Sequence, residues 1–221
     1  MKDFELDSIG TFIALGGSFS THRRQDAEPE WPIMWTVPSQ TIIPEGAPIE
    51  LPSYVEDVVP GPEPAAIIGD VGEGLWQATE AEAAEAIKGF TVSNDVTAKG
   101  KFPSHPYPEQ AGSLGRGYKS FPTFSPTLSG YVEVDPDELD SGVMVEAEID
   151  GETVVSGSTD TMDFTVAELV AHVSKIINLQ ENDVISLGDP SQPTGFLDDA
   201  KEVTCRVEKI GELTNPVTRI D

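Results

Sequence analysis

Gly89-Phe90-Thr91-Val92-Ser93-Asn94-Asp95-Val96-Thr97-Ala98-Lys99 is the stretch on which the reading of this chain turns. Its aromatic and β-branched residues predict a strand over Phe90–Asp95. The strand runs into Thr97–Gly117, where glycines and prolines without periodicity predict a long loop. A long loop inside a compact domain generally carries function.

Upstream of this strand, Thr79-Glu80-Ala81-Glu82 forms a capping box, in which the Thr hydroxyl and the Glu carboxylate satisfy amides at a helix start. That helix is expected to run to about Lys88, with Gly89 as its stop. Strands are expected at Phe12–Leu15, Ile33–Val37, Thr41–Ile43 and, after the proline-rich Pro60–Pro64, at Ala65–Ile68. Ser20–Glu30 is polar and ends in Glu28-Pro29-Glu30, which predicts a mobile loop. Downstream, Val143–Ile149 alternates apolar and polar residues, Asp150-Gly151 signals a hairpin turn, and Glu152–Val155 returns. A second capping box, Thr165-Val166-Ala167-Glu168, opens a helix with Val166, Leu169, Val170, Val173, Ile176 and Ile177 on one side. Val184–Leu187 and Val203–Ile210 are late strands. About ten strands and two helices, with no repeat and no linker, predict one β-rich α+β domain over 1–221, residues 1–10 being a short N-terminal extension.

The chain carries 39 acidic and 13 basic residues among 221, a net charge of −26. Disorder would follow if apolar residues were scarce, but the acids are interleaved with apolar periodicity along most of the chain. A salt-adapted, halophilic surface is the better reading, because mutually repelling carboxylates are relieved by screening. A nucleic-acid backbone is an unsuitable partner, since binding it needs a basic footprint. No stretch approaches the apolar length of a membrane span, and Met1-Lys2-Asp3-Phe4-Glu5 is no secretory signal. The lone Cys205 cannot form an intrachain disulfide, so a cytoplasmic setting is expected.

Several candidate sites are weak. His22, His105 and His172 are too widely spaced for a zinc pair, and His172 reads as structural. Cys205, on an alternating strand, reads as a buried inert thiol. Asp135–Asp140 lacks an oxygen ligand at Leu139 and reads as a solvated acidic turn rather than a calcium loop. Gly69–Gly74 does not fit a dinucleotide fingerprint and reads as a turn. One feature runs against the overall charge: between Val96 and Gly130, Lys99, Lys101, Arg116 and Lys119 stand against Glu109 alone. Such an island attracts carboxylates or docks onto an acidic surface of the same protein or a second subunit, and both readings stay open.

With these segments in order, the chain resembles the fumarylacetoacetate hydrolase family. Residues Gly89–Lys99 are similar to its G-Y-T-x-x-N-D-V-S-A-R strand and loop, and Lys119-Ser120-Phe121-Pro122-Thr123-Phe124-Ser125-Pro126 to its G-K-S-F-D-T-F-C-P segment. Asp163–Val170 is similar to its helix start, and Asp183-Val184-Ile185 with Gly188-Asp189-Pro190 to its D-V-I-L-T-G-T-P turn. The blocks agree in order over roughly 10–215. The resemblance implies a mixed β-sandwich roll, a homodimer, and a Mg²⁺ or Mn²⁺ ion bound by two glutamates of an E-x-E strand and the aspartate of N-D. It implies C–C cleavage, decarboxylation or isomerisation of a small anionic 2-oxo or β-diketo acid through a metal-stabilised enolate.

Carried over by position, the metal ligands are Glu63 and Asp95. Lys119, His22 and Lys99 stand at catalytic positions, and Lys119, Asp189 and Arg116 at substrate-binding ones. The departures are specific. Gly61 replaces the first glutamate, Lys99 an arginine, and Asp189 a threonine. Gln25 replaces a glutamate that often acts as a base with the histidine aligned to His22. Residues 61 and 63 share a strand face, so Gly61→Glu is expected to complete a three-carboxylate set. Two functions follow: a metal-dependent hydrolase or lyase, or an impaired pseudoenzyme or anion-binding protein on the same fold. The charge itself yields an expected outcome. The thermal midpoint should rise steeply between about 0.1 M and about 2 M KCl; an unchanged midpoint rejects the halophilic surface.

Overall fold

The computed structural model describes residues 2, 4–23, 28–53, 55–99, 127–128 and 130–221. In chain order the strands begin with β1 (Phe12–Gly16), β2 (Ile33–Val37), β3 (Ile43–Pro44), β4 (Ile49–Pro52) and β5 (Val58–Val59). They continue with β6 (Pro62–Ile68), β7 (Ile87–Asn94), β8 (Thr97–Ala98), β9 (Thr127–Leu128) and β10 (Met144–Ile149). The last are β11 (Glu152–Ser158), β12 (Val184–Ser186), β13 (Glu202–Val207) and β14 (Gly211–Ile220). The α-helices among the described residues are α1 (Glu80–Ala86), α2 (Pro136–Asp140) and α3 (Val166–Ser174). A seven-stranded mixed sheet runs β2-β1-β12-β6-β7-β9-β3, a five-stranded sheet runs β11-β10-β13-β14-β4, and β5 pairs with β8.

The two large sheets close on one apolar core. Ile13, Leu15, Ala66, Ile68, Phe90 and Val92 of the first meet Val145, Ala147, Val203, Cys205, Val207 and Leu213 of the second. Leu169 and Val173 of α3 join them. The alternate residues Phe12, Ala14, Ala65, Ile67 and Val184 enter a second cluster, against which Phe4 and Leu6 pack. The seven-stranded sheet is therefore buried on both faces, which is why its central strands read as continuous apolar runs. The expected β-rich α+β roll is the fold observed.

Differences from the sequence reading have physical causes. β6 begins at Pro62, inside the segment expected to precede the strand. Asp95 N donates to Gly61 O, so Gly61 and Glu63 occupy the hydrogen-bonded positions against β7. Pro62 and Pro64 alternate with them, so their missing N–H groups are not needed by β7. Helix α1 stops at Ala86, not near Lys88, because its last carbonyl accepts Gly69 N and Ile87 already pairs with Ile68. Gly89 is a strand residue, not a helix stop. A Cβ there would lie 2.5 Å from Val132 O, so glycine admits the 131–132 segment against β7.

The strand expected at Thr41–Ile43 is instead a 3-10 turn at Ser39–Thr41 followed by β3. Asp135–Asp140 forms α2, with Asp135 accepting Asp137 N at 3.1 Å and Pro136 in the first turn. Ile176 lies beyond α3 and is exposed, so it leaves the expected apolar face. In the hairpin turn, Asp150 and Gly151 both have positive φ, and the Asp150 carboxylate accepts Lys201 N and Glu202 N at the start of β13. β4, β5, β8, β9, β14 and helix α2 were not foreseen. Both expected capping boxes form.

Cys205 is fully buried, and burial pushes its thiol pKa up, as an inert core residue requires. His172 is structural: it stacks on Trp31 at 4.2 Å and 1°, and Trp31 also stacks on Phe164. Desolvation, then Lys175, lowers the His172 pKa. The unfolded chain therefore takes up this proton first, so the stability His172 contributes is present above its ordinary value near 6.5 and is lost as pH falls through the depressed one. At fixed salt, the stability of the parent relative to a His172→Gln variant should decline as pH is lowered below neutrality, as measured by urea melts. A pH-independent difference would contradict the shift.

Candidate active site

The site grows from three adjacent strands. β6 pairs with β12 on one side and β7 on the other, with Ser186 opposite Ala65 and Glu63 opposite Ser93. Glu63, Ser93 and Ser186 therefore share the face that carries Ala65 and Ile67. The ladder to β12 ends at Ser186, since Pro64 accepts Leu187 N but has no N–H to return. The chain then turns through Gly188, whose positive φ aims its N–H back at the strand.

Glu63 is 1% exposed, and its Oε2 accepts Ser186 Oγ at 2.5 Å and Gly188 N at 2.9 Å. Ser186 Oγ in turn meets Ser93 Oγ at 2.6 Å. Since Glu63 Oε2 takes the Ser186 proton, Ser93 donates to Ser186. A buried carboxylate is costly unless such donors meet it. Asp95, 2% exposed, follows β7, and its N–H donates to Gly61 O at 2.8 Å while Asn94 Oδ1 accepts Gly61 N at 3.0 Å. Gly61 is thus clamped between β6 and the Asn94-Asp95 corner.

The segment after β1 supplies His22. Ser18 Oγ donates to Leu187 O, Thr21 Oγ1 to Pro190 O at 2.6 Å, and Arg23 pairs with Asp163 at 3.0 Å. Ser20–His22 is therefore a pinned 3-10 turn, a correction to the mobile loop expected over Ser20–Glu30; residues 24–27, including Gln25, lie outside the described ones. The same pinning places His22 Nε2 3.7 Å from Asp189 Oδ1. Lys99 is held by its N–H to Asp57 O at 2.9 Å, and its Nζ donates to Gln192 Oε1 at 2.8 Å. Gln192 Nε2 meets His22 Nδ1 at 2.8 Å.

These groups surround one cavity of about 140 Å³. Its walls include Glu63, Asp95, His22, Lys99, Asp189 and Gln192. Five residues that sequence analysis placed at the site thus meet, although they come from four separate segments of the chain, Asp95 and Lys99 sharing one. Lys119 and Arg116, with most of the basic island, lie outside the described residues. Ser93, Ser186 and Gln192 were missed. The Glu63–Ser93 pair could have been found from strand register, but Ser186 could not, because it rests on the pairing of β12 with the distant β6, nor Gln192, which follows the turn at Gly188.

Comparison with known proteins identifies the family. The profile of the fumarylacetoacetate (FAA) hydrolase C-terminal domain matches residues 11–218. The chain belongs to the fumarylacetoacetate hydrolase family. A protein of unassigned function from Archaeoglobus fulgidus is 32% identical over 95% of this chain and 79% of its own length. The mitochondrial oxaloacetate tautomerase of Arabidopsis thaliana is 27% identical, covering 94% of this chain and 90% of its own. The solved 5-carboxymethyl-2-hydroxymuconate delta-isomerase of Mycobacterium smegmatis superposes with a TM-score of 0.77 at 28% identity, covering 96% of this chain and 80% of that one.

Among the described residues no group of three His, Cys, Asp or Glu side chains is placed to hold a metal ion. Gly61, where the family pattern has its first glutamate, is more than a missing ligand. A Cβ at Gly61 would lie 2.7 Å from Asp95 O and 3.3 Å from Asp95 Cβ. The simple restoration expected of Gly61→Glu is therefore obstructed by the backbone before its carboxylate is considered. Gly61→Ala should lower stability by about 1–3 kcal/mol in urea unfolding, the range for overpacking, and Gly61→Glu by at least as much without added ion. An unaltered midpoint in both would mean that β6 and the Asp95 corner can separate without cost.

Proposed function

We propose that this protein is a divalent-metal-dependent isomerase or hydrolase of small 2-oxo or β-diketo acids. The observation that carries this reading is the convergence of Glu63, Asp95, His22, Lys99 and Asp189 on one cavity. Its volume, about 140 Å³, suits a compact acid rather than an extended ligand. The oxaloacetate tautomerase and hydroxymuconate isomerase relatives named above act on acids of that class by name.

The donor set suits a hard cation. Glu63 and Asp95 are buried carboxylates on the wall of one cavity, and oxygen ligands are what Mg²⁺ or Mn²⁺ takes. With Gly61 in place of a third carboxylate, water and substrate oxygens would fill the rest of the shell. When bound, such an ion supplies Lewis acidity toward the substrate's carbonyl and carboxylate.

The chain's own residues provide the remainder. Ser93, Ser186 and Gly188 N fix Glu63 in one rotamer, so its orientation is set before any ligand arrives. Lys99 provides positive charge at the cavity wall for the substrate carboxylate, a role Lys119 and Arg116 would share. His22 Nε2 stands 3.7 Å from Asp189 Oδ1 on the cavity wall, where a substrate oxygen could approach beside them. A homodimer and a salt-adapted cytoplasmic setting belong to the same proposal.

The second reading, a binding protein without turnover, is favoured by one observation, the replacement of a ligand at Gly61. Mn²⁺ titration with and without oxalate, followed by assays of oxaloacetate keto–enol exchange and acylpyruvate hydrolysis, separates the two. The parent should bind Mn²⁺ more tightly with oxalate present. Asp95→Asn and Glu63→Gln should each weaken it at least about 10-fold and abolish turnover. Oxalate binding without metal or turnover would make the protein a binder of anions.

A further inference from the structure

We infer that Gln192 holds His22 in the tautomer protonated at Nε2, so that His22 faces the substrate as a hydrogen-bond donor and not as a base. The inference concerns the site proposed above, but its central claim is about the resting protein. An ammonium group has donors only, so the Gln192 atom 2.8 Å from Lys99 Nζ is the amide oxygen. The amide nitrogen then faces His22 Nδ1 at 2.8 Å, and an amide nitrogen can only donate. Nδ1 must accept, and in a neutral imidazole the proton therefore resides on Nε2.

That Nε2 atom is buried and makes no hydrogen bond, and it stands 3.7 Å from Asp189 Oδ1. A buried N–H without an acceptor at a cavity wall is suited to an oxygen arriving with the ligand. The carboxylate or developing oxyanion of an oxo acid supplies that acceptor. A carboxylate in the place of Gln192 would do the opposite. It accepts from Nδ1–H and leaves the Nε2 lone pair toward the cavity, the arrangement a general base needs. The choice of amide over carboxylate at this position thus reverses the hydrogen-bonding sense of His22. Gln192 is a positioning residue, acting through His22, and Lys99 is what prevents its amide from flipping.

Nitrogen-15 NMR of the imidazoles tests this in ligand-free protein, at a pH where the rings are neutral, with His22 resonances assigned by their loss in His22→Gln. The parent should show Nε2 protonated and Nδ1 bare. Gln192→Glu should move the proton onto Nδ1, and Gln192→Leu should leave a mixture of tautomers. Lys99→Met should give a mixture too, since the amide can then turn over. Gln192 is exposed, so these variants do not disturb the core. A parent with Nδ1 protonated, or a His22 spectrum indifferent to Gln192→Glu, overturns the inference. If the parent tautomer is as stated but no oxo acid is turned over, the inference stands and the proposed activity falls.

Discussion

A carboxylate buried at the junction of three strands is the constraint around which this molecule is arranged. Glu63 sits on the central strand of the seven-stranded sheet with 1% of its surface exposed. Its charge is tolerable only because Ser186, Gly188 and, through Ser186, Ser93 point donors at it. Each donor depends on a backbone feature: the β6–β7 register, the end of the β12 ladder at Pro64, and the positive φ at Gly188. Loss of any of these would leave charge in the core without compensation, which is commonly worth several kcal/mol.

The same junction explains how the site departs from its family's pattern. Asn94 and Asp95 grip Gly61 from both sides of its backbone, and that closeness leaves no room for a side chain. Glycine at 61 makes a tight corner that holds Asp95 to β6. Beside this corner the cavity presents groups able to interact with a ligand's own oxygens. Lys99, His22, Asp189 and Gln192 line it. Their mutual contacts join the loop after β1, the strand after β7 and the turn after β12 into one polar unit.

Pinning of the His22 turn is a second structural theme. Hydroxyls of Ser18 and Thr21 reach carbonyls of Leu187 and Pro190, so two segments far apart in sequence share one geometry. Asp183 works similarly at the other end of β12, where its carboxylate accepts Thr11 N and Gln180 N and aligns β12 with β1. Buried polar side chains here mostly serve as strand-end connectors, and the catalytic candidates lie where those connectors converge.

The sequence by itself determined the strands of continuous apolar character, both capped helices, the Asp150-Gly151 hairpin and the family, because these rest on local periodicity, capping chemistry and ordered motifs. It also singled out Glu63, Asp95, His22, Lys99 and Asp189, each through a motif position. Tertiary structure alone decided that Gly89 belongs to a strand and that Pro62 and Pro64 can lie inside one, since those outcomes depend on which neighbour approaches and which N–H groups are needed. It alone decided that Gly61 is sterically required, that Ser186 supports Glu63, and that Gln192 meets both Lys99 and His22. Such contacts join residues with no fixed spacing along the chain. A side chain's hydrogen-bonding sense is set by the groups folding brings against it, and these cannot be read from the residues beside it in sequence.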